Sequence, residues 1–297
     1  MSILIDEKTR IMIQAITGKQ GKSACIDMLR YGSNVVCGVT PGKSGQEVNG
    51  VPVYGSVAEA IENHKIDASV IFVPPMQAKE AIIDAINNGI KLINVITENI
   101  PVHDTAEFLE IARKKGAIII GPSSVGIISV GKSKMGPIGG SINEQFTKGS
   151  IGIISKSGGM SSETANILTK AGIGQTTVIG MGGDRLIGSD FADLAKLFEK
   201  DKDTKCIVIF GEIGGTYEEQ LAEAIKRKEI TKPIVAFISG NFASKLEGVA
   251  LGHAGAIIEG NAGTRKSKMN ALRQAGAIVV EVHHEIVDEV KKILKIK

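Results

Sequence analysis

One histidine lies in a setting that suits nucleophilic chemistry. His253 is part of the run GHAGA, whose small side chains would leave the imidazole accessible. An imidazole nitrogen is a competent nucleophile toward a phosphoryl group, and a carboxylate on the other ring nitrogen would orient the ring. Glu212, in the run GEIGG after an apolar stretch, is the candidate for that carboxylate. The other four histidines are expected to be structural or solvated.

Three polar strand ends in the first half could bind a phosphate-bearing ligand. The first is a glycine turn between a strand and a helix, where backbone N–H groups and a lysine can approach a phosphate. The second is a lysine on the turn TPGK, and the third is the polar end of the run INVITE. The candidate residues are Thr17, Gly18, Lys19, Gln20, Lys43, Ile96, Thr97 and Glu98. An ordinary tight turn and a solvated lysine remain alternatives, because GxxG falls short of the GxGxxG fingerprint.

A second candidate site lies in the second half. Gly158 and Gly159 open a helix directly after a strand, so the backbone amides there could cradle an anion, with Ser162 close by. An ordinary capped helix is the alternative. Arg185 follows GGD at another strand end, and its guanidinium is shaped for bidentate binding of a carboxylate or phosphate.

The elements that must position these residues alternate along the chain. Short runs rich in Val and Ile, such as ASVIFV and CIVIFGE, are separated by amphipathic helical stretches. Strands that are apolar throughout and separated by helices indicate parallel sheets covered on both faces. The predicted fold class is α/β: a Rossmann-like domain followed by a flavodoxin-like doubly wound domain, with ligands beyond the carboxyl ends of the strands.

The chain is long enough for two domains. Its 297 residues exceed the usual single-domain size. The glycine-rich stretch 123–148 shows little periodicity, so we predict a first domain over 1–122, a linker over 123–148 and a second domain over 149–297.

Composition excludes several classes of function. The formal net charge is +3 and charges of both signs alternate, which gives no support for binding nucleic acid or a membrane surface. No apolar run approaches the ~18 residues of a membrane span, and the charged N-terminus is unlike a signal peptide. The three cysteines are far apart, so neither a disulfide framework nor a metal site is expected, and a reducing cytoplasm fits best.

Taken in order, these motifs resemble those of the succinyl-CoA synthetase α-subunit family over essentially the whole chain. The runs TGKQG, TPGK and ITE are similar to that family's CoA-binding segments, and GEIGG and GHAGA are similar to its glutamate and phosphohistidine motifs. The resemblance implies a nucleotide-dependent acid–thiol ligase in which an acid becomes an acyl phosphate, His253 carries the phosphoryl group, and CoA thiolate displaces phosphate. It implies that Glu212 orients His253.

The resemblance also implies an obligate partner. ATP or GTP with Mg is expected on a separate ATP-grasp β-type subunit, in an αβ or α2β2 hetero-oligomer. The chain itself would contribute the CoA site, the small carboxylic acid site and the phosphohistidine.

Departures from the family pattern concern the acid. Succinyl-CoA synthetases typically read SRSGTLTYE and GGDP where this chain reads SKSGGMSSE and GGDR. The versions here are similar to ATP-citrate lyase and to citryl-CoA synthetase small subunits. Ser162 in place of a tyrosine leaves more room, and Arg185 could offset a third carboxylate. Citrate is therefore placed slightly ahead of succinate as the predicted substrate.

Two readings of other classes stay open. A non-catalytic CoA-binding module would need only the first domain. A dinucleotide-dependent oxidoreductase is disfavoured because the GxGxxG fingerprint is absent.

Overall fold

The computed structural model describes residues 2–240, 253–255 and 263–296 and contains two seven-stranded sheets. The first sheet is built from β1 (Ile11–Gln14), β2 (Val35–Val39), β3 (Glu47–Val48), β4 (Val51–Tyr54), β5 (Ala68–Ile71), β6 (Leu92–Val95) and β7 (Ile118–Ile120), with helices α1 (Lys19–Tyr31), α2 (Val57–Asn63), α3 (Pro75–Asn87) and α4 (Val102–Lys115).

The second sheet follows the same alternation. Its strands are β8 (Gly126–Ser129), β9 (Ser133–Met135), β10 (Lys148–Ser155), β11 (Gln175–Gly180), β12 (Cys206–Gly211), β13 (Ile234–Ile238) and β14 (Ile278–Val280), with helices α5 (Gly158–Lys170), α6 (Phe191–Lys200), α7 (Tyr217–Lys226), α8 (Arg265–Gln274) and α9 (Ile286–Leu294). Short 3-10 helices lie at Asn143–Gln145 and His283–Glu285.

The strand order of the first sheet is that of a Rossmann fold. The order is β3-β4-β2-β1-β5-β6-β7, and only β3 runs antiparallel to its neighbour. Without β3, the strands in chain order lie as 3-2-1-4-5-6, the doubly wound order whose crevice opens between β1 and β5. Strands β1, β5 and β6 are buried along their whole length, as expected of parallel strands covered by helices.

The second sheet has the flavodoxin order. Its parallel strands β10 to β14, numbered in chain order, lie as 2-1-3-4-5, with the switch point between β10 and β12. Strands β8 and β9 extend the β11 edge in antiparallel fashion. The predicted fold class is therefore confirmed for both halves.

Two pairs of short strands were not predicted. The hairpin β3–β4 turns at Asn49 and Gly50, both of which have positive φ, and β3 is only two residues long. Strands β8 and β9 lie inside the stretch 123–148, which the sequence analysis treated as a loose linker. Their three or four residues are too few to show a period of two among so many glycines. The domain boundary itself stays a prediction.

The two sheets meet near the carboxyl ends of β6, β7 and β11. The N–H of Gly121 donates to the carbonyl of Met181 at 3.1 Å, and the hydroxyl of Ser189 donates to the carbonyl of Ile119 at 2.9 Å. These bonds bring the carboxyl edge of the first sheet against that of the second.

No helix in residues 2–240, 253–255 or 263–296 is both long and apolar enough to cross a lipid bilayer.

Candidate active site

His253 and Glu212 form a hydrogen-bonded pair at the carboxyl edge of the second sheet. Glu212 directly follows β12, one of the two strands that flank the switch point. Its Oε2 lies 2.8 Å from Nδ1 of His253, and the side chains are 12% and 33% exposed, respectively. The hydrogen bond to Glu212 raises the pKa of His253, although partial burial opposes this. The sequence hypothesis that these two residues act together is supported by this geometry.

The loop after β11 packs against the imidazole ring of His253. A Cβ built on Gly183 would lie 2.5 Å from both Cγ and Cδ2 of His253, so the ring rests on the bare backbone of this glycine. The N–H of Gly255 donates to the carbonyl of Gly183 at 3.0 Å. Arg185 donates from Nε to the carbonyl of Ala254 at 3.2 Å. The loop therefore holds residues 253–255 by backbone contacts as well as by the ring.

Two carboxylates from different sheets face the same space. Burial raises the pKa of Asp184, and the negative charge of Glu98 raises it further. The negative charge of Glu98 also raises the pKa of His253. Glu98 follows β6 of the first sheet and accepts a hydrogen bond from Ser123 at 3.2 Å. The structure thus places the end of a predicted CoA segment within electrostatic reach of the predicted phosphate carrier.

The start of α5 offers unpaired backbone donors. Within the described part of the chain, no side chain caps this helix and its first turn holds no acidic residue. Gly158 packs so closely on Val125 that a Cβ would lie 2.2 Å from Cγ1, whereas a Cβ on Gly159 would meet nothing within 4 Å. Ser162 is half-buried on the first turn of the helix. The glycines leave room for an anion at this helix start.

The start of α1 repeats this arrangement in the first sheet. Gly18 is the N-cap residue, no side chain caps the helix in the described structure, and the first turn holds no acidic residue. A Cβ on Gly21 would lie 2.4 Å from the carbonyl oxygen of Ala15, so the helix packs tightly against the end of β1. Gly18, Lys19 and Gln20 are exposed. Backbone N–H donors and a lysine at a helix start are groups that suit a phosphate.

Hydrogen bonds connect the first two predicted CoA segments and attach the third to β5 and the residues that follow it. The hydroxyls of Thr17 and Thr40 lie 3.3 Å apart, which joins the first segment to the turn that carries the exposed Lys43. At the third segment, Thr97 donates to the carbonyl of Val73 at 2.6 Å, beyond the end of β5. Ile96 donates its N–H to the carbonyl of Ile71. All three segments therefore lie along the carboxyl edge of the same sheet.

Several charged residues of the site were not identified from the sequence. Asp184 was noted only as part of the motif that carries Arg185, and Lys156 and Glu218 were not singled out. Lys156 is 2% exposed, and its Nζ lies 4.0 Å from Oε1 of the fully buried Glu218. Burial of charged side chains is the signal that would have found them, and it depends on contacts between distant parts of the chain.

One surface group has metal-binding atoms close together. Among the described residues, the ligand atoms of His103, Asp104 and Glu107 lie within 4.8 Å of one another. Lys79 already binds the two carboxylates, at 3.0 and 3.2 Å, so one ammonium group offsets part of their negative charge.

Comparison with known families agrees with this layout. The profile of the CoA binding domain matches residues 6–99, and the CoA-ligase profile matches residues 154–278. The succinate–CoA ligase [ADP-forming] subunit alpha 2 of Archaeoglobus fulgidus is 49% identical over 294 residues, which cover 99% of this chain and 100% of that protein. The chain belongs to the α-subunit family of succinate–CoA ligases and their relatives. It is therefore a subunit of an acid–thiol ligase, and its first half is a CoA-binding domain.

Relatives with other named acids are also similar. A subunit of the ADP-forming sulfoacetate–CoA ligase of Bilophila wadsworthia is 43% identical over 99% of this ligase subunit and 100% of its own length. The structure of ATP citrate lyase from Methanothrix soehngenii in complex with citrate and coenzyme A superimposes with a TM-score of 0.92 at 30% identity, over 99% of this subunit. The subunit spans about half, 51%, of that longer chain.

Proposed function

We propose that this subunit carries the phosphoryl group between a nucleotide and a carboxylic acid as a phosphohistidine on His253, so that the acid can be joined to CoA. The observation that carries the proposal is the 2.8 Å hydrogen bond between His253 Nδ1 and Glu212 Oε2 at the sheet's ligand edge. A neutral ring that donates from Nδ1 leaves the lone pair of Nε2 free to attack phosphorus.

The charge of Glu212 supports both halves of the transfer. When Nε2 attacks a nucleotide's γ-phosphorus, the bond to the leaving diphosphate oxygen breaks and the ring becomes cationic. The carboxylate stabilises that cation, as the raised pKa of His253 indicates. The phosphoryl group then passes to a carboxylate oxygen of the acid, the ring returns to neutral, and CoA thiolate displaces phosphate from the acyl phosphate.

CoA is proposed to bind along the three segments at the carboxyl edge of the first sheet. Thr17 to Gln20 and Lys43 would hold its phosphates, and Ile96, Thr97 and Glu98 would line its path toward the second sheet. The electrostatic effect of Glu98 on His253 supports a route that ends beside the phosphate carrier.

The nucleotide is proposed to bind on a partner. ATP or GTP with Mg would occupy an ATP-grasp β-type subunit, in an αβ or α2β2 hetero-oligomer in the cytoplasm. The names of the relatives from Archaeoglobus and Bilophila both include "ADP-forming", which favours ATP.

The acid is proposed to be small and to carry at least two acidic groups. Gly158, Gly159 and Ser162 at the start of α5 would bind one of them, and Arg185 would bind another. Succinate is at least as well supported as citrate, because relatives at 46–49% identity are named for succinate. Citrate remains the second candidate, because the likeness to the citrate-bound lyase extends over 99% of this chain.

The test is transfer of labelled phosphate to the full-length chain in complex with its partner. We expect an acid-labile, base-stable phosphate on the subunit in the presence of γ-labelled ATP. His253→Ala should lose the label and all turnover while it still binds CoA. His103→Ala is the matched control, since that side chain is 90% exposed on α4 and should leave labelling unchanged.

The outcomes separate the functional classes. A subunit that binds CoA but never takes up label would be a non-catalytic binding module. Label that persists in His253→Ala would remove His253 from the mechanism. With labelling established, kcat/KM for succinate and citrate in CoA-dependent phosphate release assigns the acid, and loss of the preference in Arg185→Ala would support its proposed contact.

A further inference from the structure

A fully buried carboxylate lies directly behind Glu212. Glu218, in the first turn of α7, accepts the backbone N–H of Glu212 on Oε1 at 3.1 Å. The approach depends on a glycine, because a Cβ on Gly211 would lie 2.8 Å from the same oxygen. The backbone of the residue that orients His253 is therefore fixed by a charged side chain that has no contact with solvent.

Two lysines from other elements hold this carboxylate. Lys268 of α8, which is fully buried, forms a hydrogen-bonded ion pair with Oε2 of Glu218, and its Nζ also contacts Glu219 at 3.1 Å. Lys156, which follows β10, approaches Oε1 to 4.0 Å. Burial alone would raise the pKa of Glu218, but the two ammonium charges hold this pKa below its ordinary value. Glu218 is therefore a buried anion whose carboxylate is held from three parts of the fold: by Lys268 of α8, by Lys156 after β10 and by the N–H of Glu212 after β12.

Stability alone gives no reason for this arrangement. Desolvation of buried ion pairs largely cancels their attraction, and well-packed apolar side chains of similar volume are often as stable. Apolar side chains, however, could not accept a hydrogen bond from the backbone N–H of Glu212, as Glu218 does. This N–H lies at the end of β12, where the chain leaves the sheet and the ladder no longer pairs it.

We propose that Glu218, held by Lys268 and Lys156, is a positioning residue that fixes Glu212 and, through Glu212, the His253 imidazole. This inference rests on the proposed function of His253 as phosphate carrier. Glu218 does not touch the reacting atoms, and its effect passes through the backbone of Glu212.

The charges around His253 support an indirect effect. Among the described residues, Glu212, Glu98 and Lys156 act on the pKa of His253 through their charges. Glu218 contacts the backbone N–H of Glu212 at 3.1 Å and the Lys156 ammonium at 4.0 Å, so a change at Glu218 that keeps the net charge can reach the His253 pKa by moving these two residues.

The test compares two double variants of the full-length chain, Glu218→Gln with Lys268→Met and Glu218→Met with Lys268→Met. Both remove the same ion pair, keep the net charge, conserve side-chain volume and take the same counter-charge away from Lys156, so that any loss of stability from these causes is shared by the two variants. They differ in one group, because Gln still offers an oxygen to the N–H of Glu212 and Met does not. The pKa of His253 is read by NMR from its ring Cε1–H shift, and the phosphorylation rate is measured in the complex.

We expect the glutamine variant to keep the raised His253 pKa and the methionine variant to lose it. The phosphorylation rate of the methionine variant should fall roughly 10- to 100-fold below that of the glutamine variant, as is typical for groups that orient a functional histidine. Equal pKa values and equal rates in the two variants would overturn the proposal. If wild-type His253 has a raised pKa but never takes up phosphate, the proposed function fails while the positioning effect can still be measured.

A second variant covers the case in which both doubles unfold. Gly211→Ala keeps every charge but places a methyl group against Glu218 and against Ile238, from whose Cδ1 an added Cβ would be 2.6 Å away. We expect Gly211→Ala to lower the His253 pKa, as is expected for the methionine variant. A folded Gly211→Ala variant with an unchanged His253 pKa would count against the proposal.

Discussion

The two nitrogens of His253 have different tasks in the proposed reaction. Nδ1 is hydrogen-bonded to Glu212, so Nε2 is the nitrogen that remains to accept a phosphoryl group. The nucleophile is the neutral ring, so the bond that raises the His253 pKa also reduces the fraction of reactive rings at low pH. In return, the carboxylate stabilises the cationic ring that phosphorylation creates.

Glu212→Gln separates these two effects. The wild-type phosphorylation rate should rise with pH through the raised pKa of His253 and then reach a plateau. In Glu212→Gln the rise should move to lower pH, because the loss of the hydrogen-bonded carboxylate lowers the His253 pKa. The plateau should fall roughly 10- to 100-fold, because the cationic ring loses its counter-charge. The measurement is the initial rate of labelling over about pH 5 to 9.

The shape of the profile decides between roles for Glu212. A lower plateau with an unshifted midpoint would mean that Glu212 contacts substrate rather than tuning the ring. His64→Gln serves as the control, since His64 pairs with Tyr54 near α2 and should leave both plateau and midpoint unchanged.

Some residues of the site were predictable from their type and neighbours, and others were not. His253 was predicted from the small residues around it on a loop, and Glu212 and Arg185 were predicted from glycines that flank a charged side chain at a strand end. Glu218 and Lys268 look in the sequence like ordinary charges on amphipathic helices. Only packing of α7 against α8 shows that both are buried.

At the scale of elements, the loop after β11 determines where the imidazole can lie. Gly182 has a φ of 108° and would place a Cβ 2.2 Å from the carbonyl oxygen of Pro122, so the turn requires glycine. The following Gly183 provides the flat backbone on which the His253 ring rests. The loop thus joins residues 121 and 122, β11 and residues 253–255.

Gly183→Ala tests whether this contact positions the ring. The added Cβ would lie 2.5 Å from ring atoms of His253, so the ring must shift from its position beside Glu212. A displacement of about 1 Å can cost about 100-fold in rate, and we expect a loss of that order in labelling. The backbone of Gly183 does not require positive φ, so the fold should be retained and the melting temperature should change little.

The control makes the same chemical change elsewhere. A Cβ on Gly55 would approach only the flexible carboxylate of Glu59 closely, at 3.2 Å, in the first half of the chain. Gly55→Ala should therefore label at the wild-type rate. Normal labelling in Gly183→Ala would show that the ring is held by Glu212 alone.

Long regular elements were predictable, whereas short ones were not. The apolar periodicity predicts helices over 57–63 and 191–200, and α2 and α6 have these bounds, because each has an apolar stripe with clear ends. For α1 the periodicity predicts a helix over 22–31, three residues late at its start, since Gly18 and Gly21 give no helical signal. Strand β8 depends on pairing with β11, which is more than forty residues away in sequence, and β9 in turn pairs with β8.

At the scale of the whole molecule, the carboxyl edges of the two sheets are held facing the same space. A series of buried hydrogen bonds joins the two sheets. Asn94 of β6 donates to the hydroxyl of Ser124 at 2.8 Å, and that hydroxyl donates to the carbonyl of Gly180 in β11 at 2.6 Å. The same hydroxyl accepts the N–H of Gly126 at 2.9 Å. One side chain thus links both sheets.

Ser124→Ala should weaken this link. Three buried polar groups, on Asn94, Gly180 and Gly126, would lose a partner, and an unsatisfied buried group costs about 1 to 3 kcal/mol. We expect the free energy of unfolding to fall by about 2 kcal/mol in urea titrations. Amide exchange at Gly126 should accelerate, because the serine hydroxyl no longer accepts its N–H.

The same variant should affect catalysis through geometry rather than chemistry. A weaker link would let the carboxyl edge of the first sheet, where CoA is proposed to bind, move relative to His253. Labelling of His253 needs only the second sheet and the partner. CoA-dependent release of phosphate should therefore slow more than labelling does. Ser141→Ala, at an exposed position, should change the free energy of unfolding by less than about 0.5 kcal/mol and leave both rates alone. If Ser124→Ala slowed labelling and CoA-dependent release equally, the link would serve stability alone, and the alignment of the two edges would have to come from the backbone bonds at Gly121.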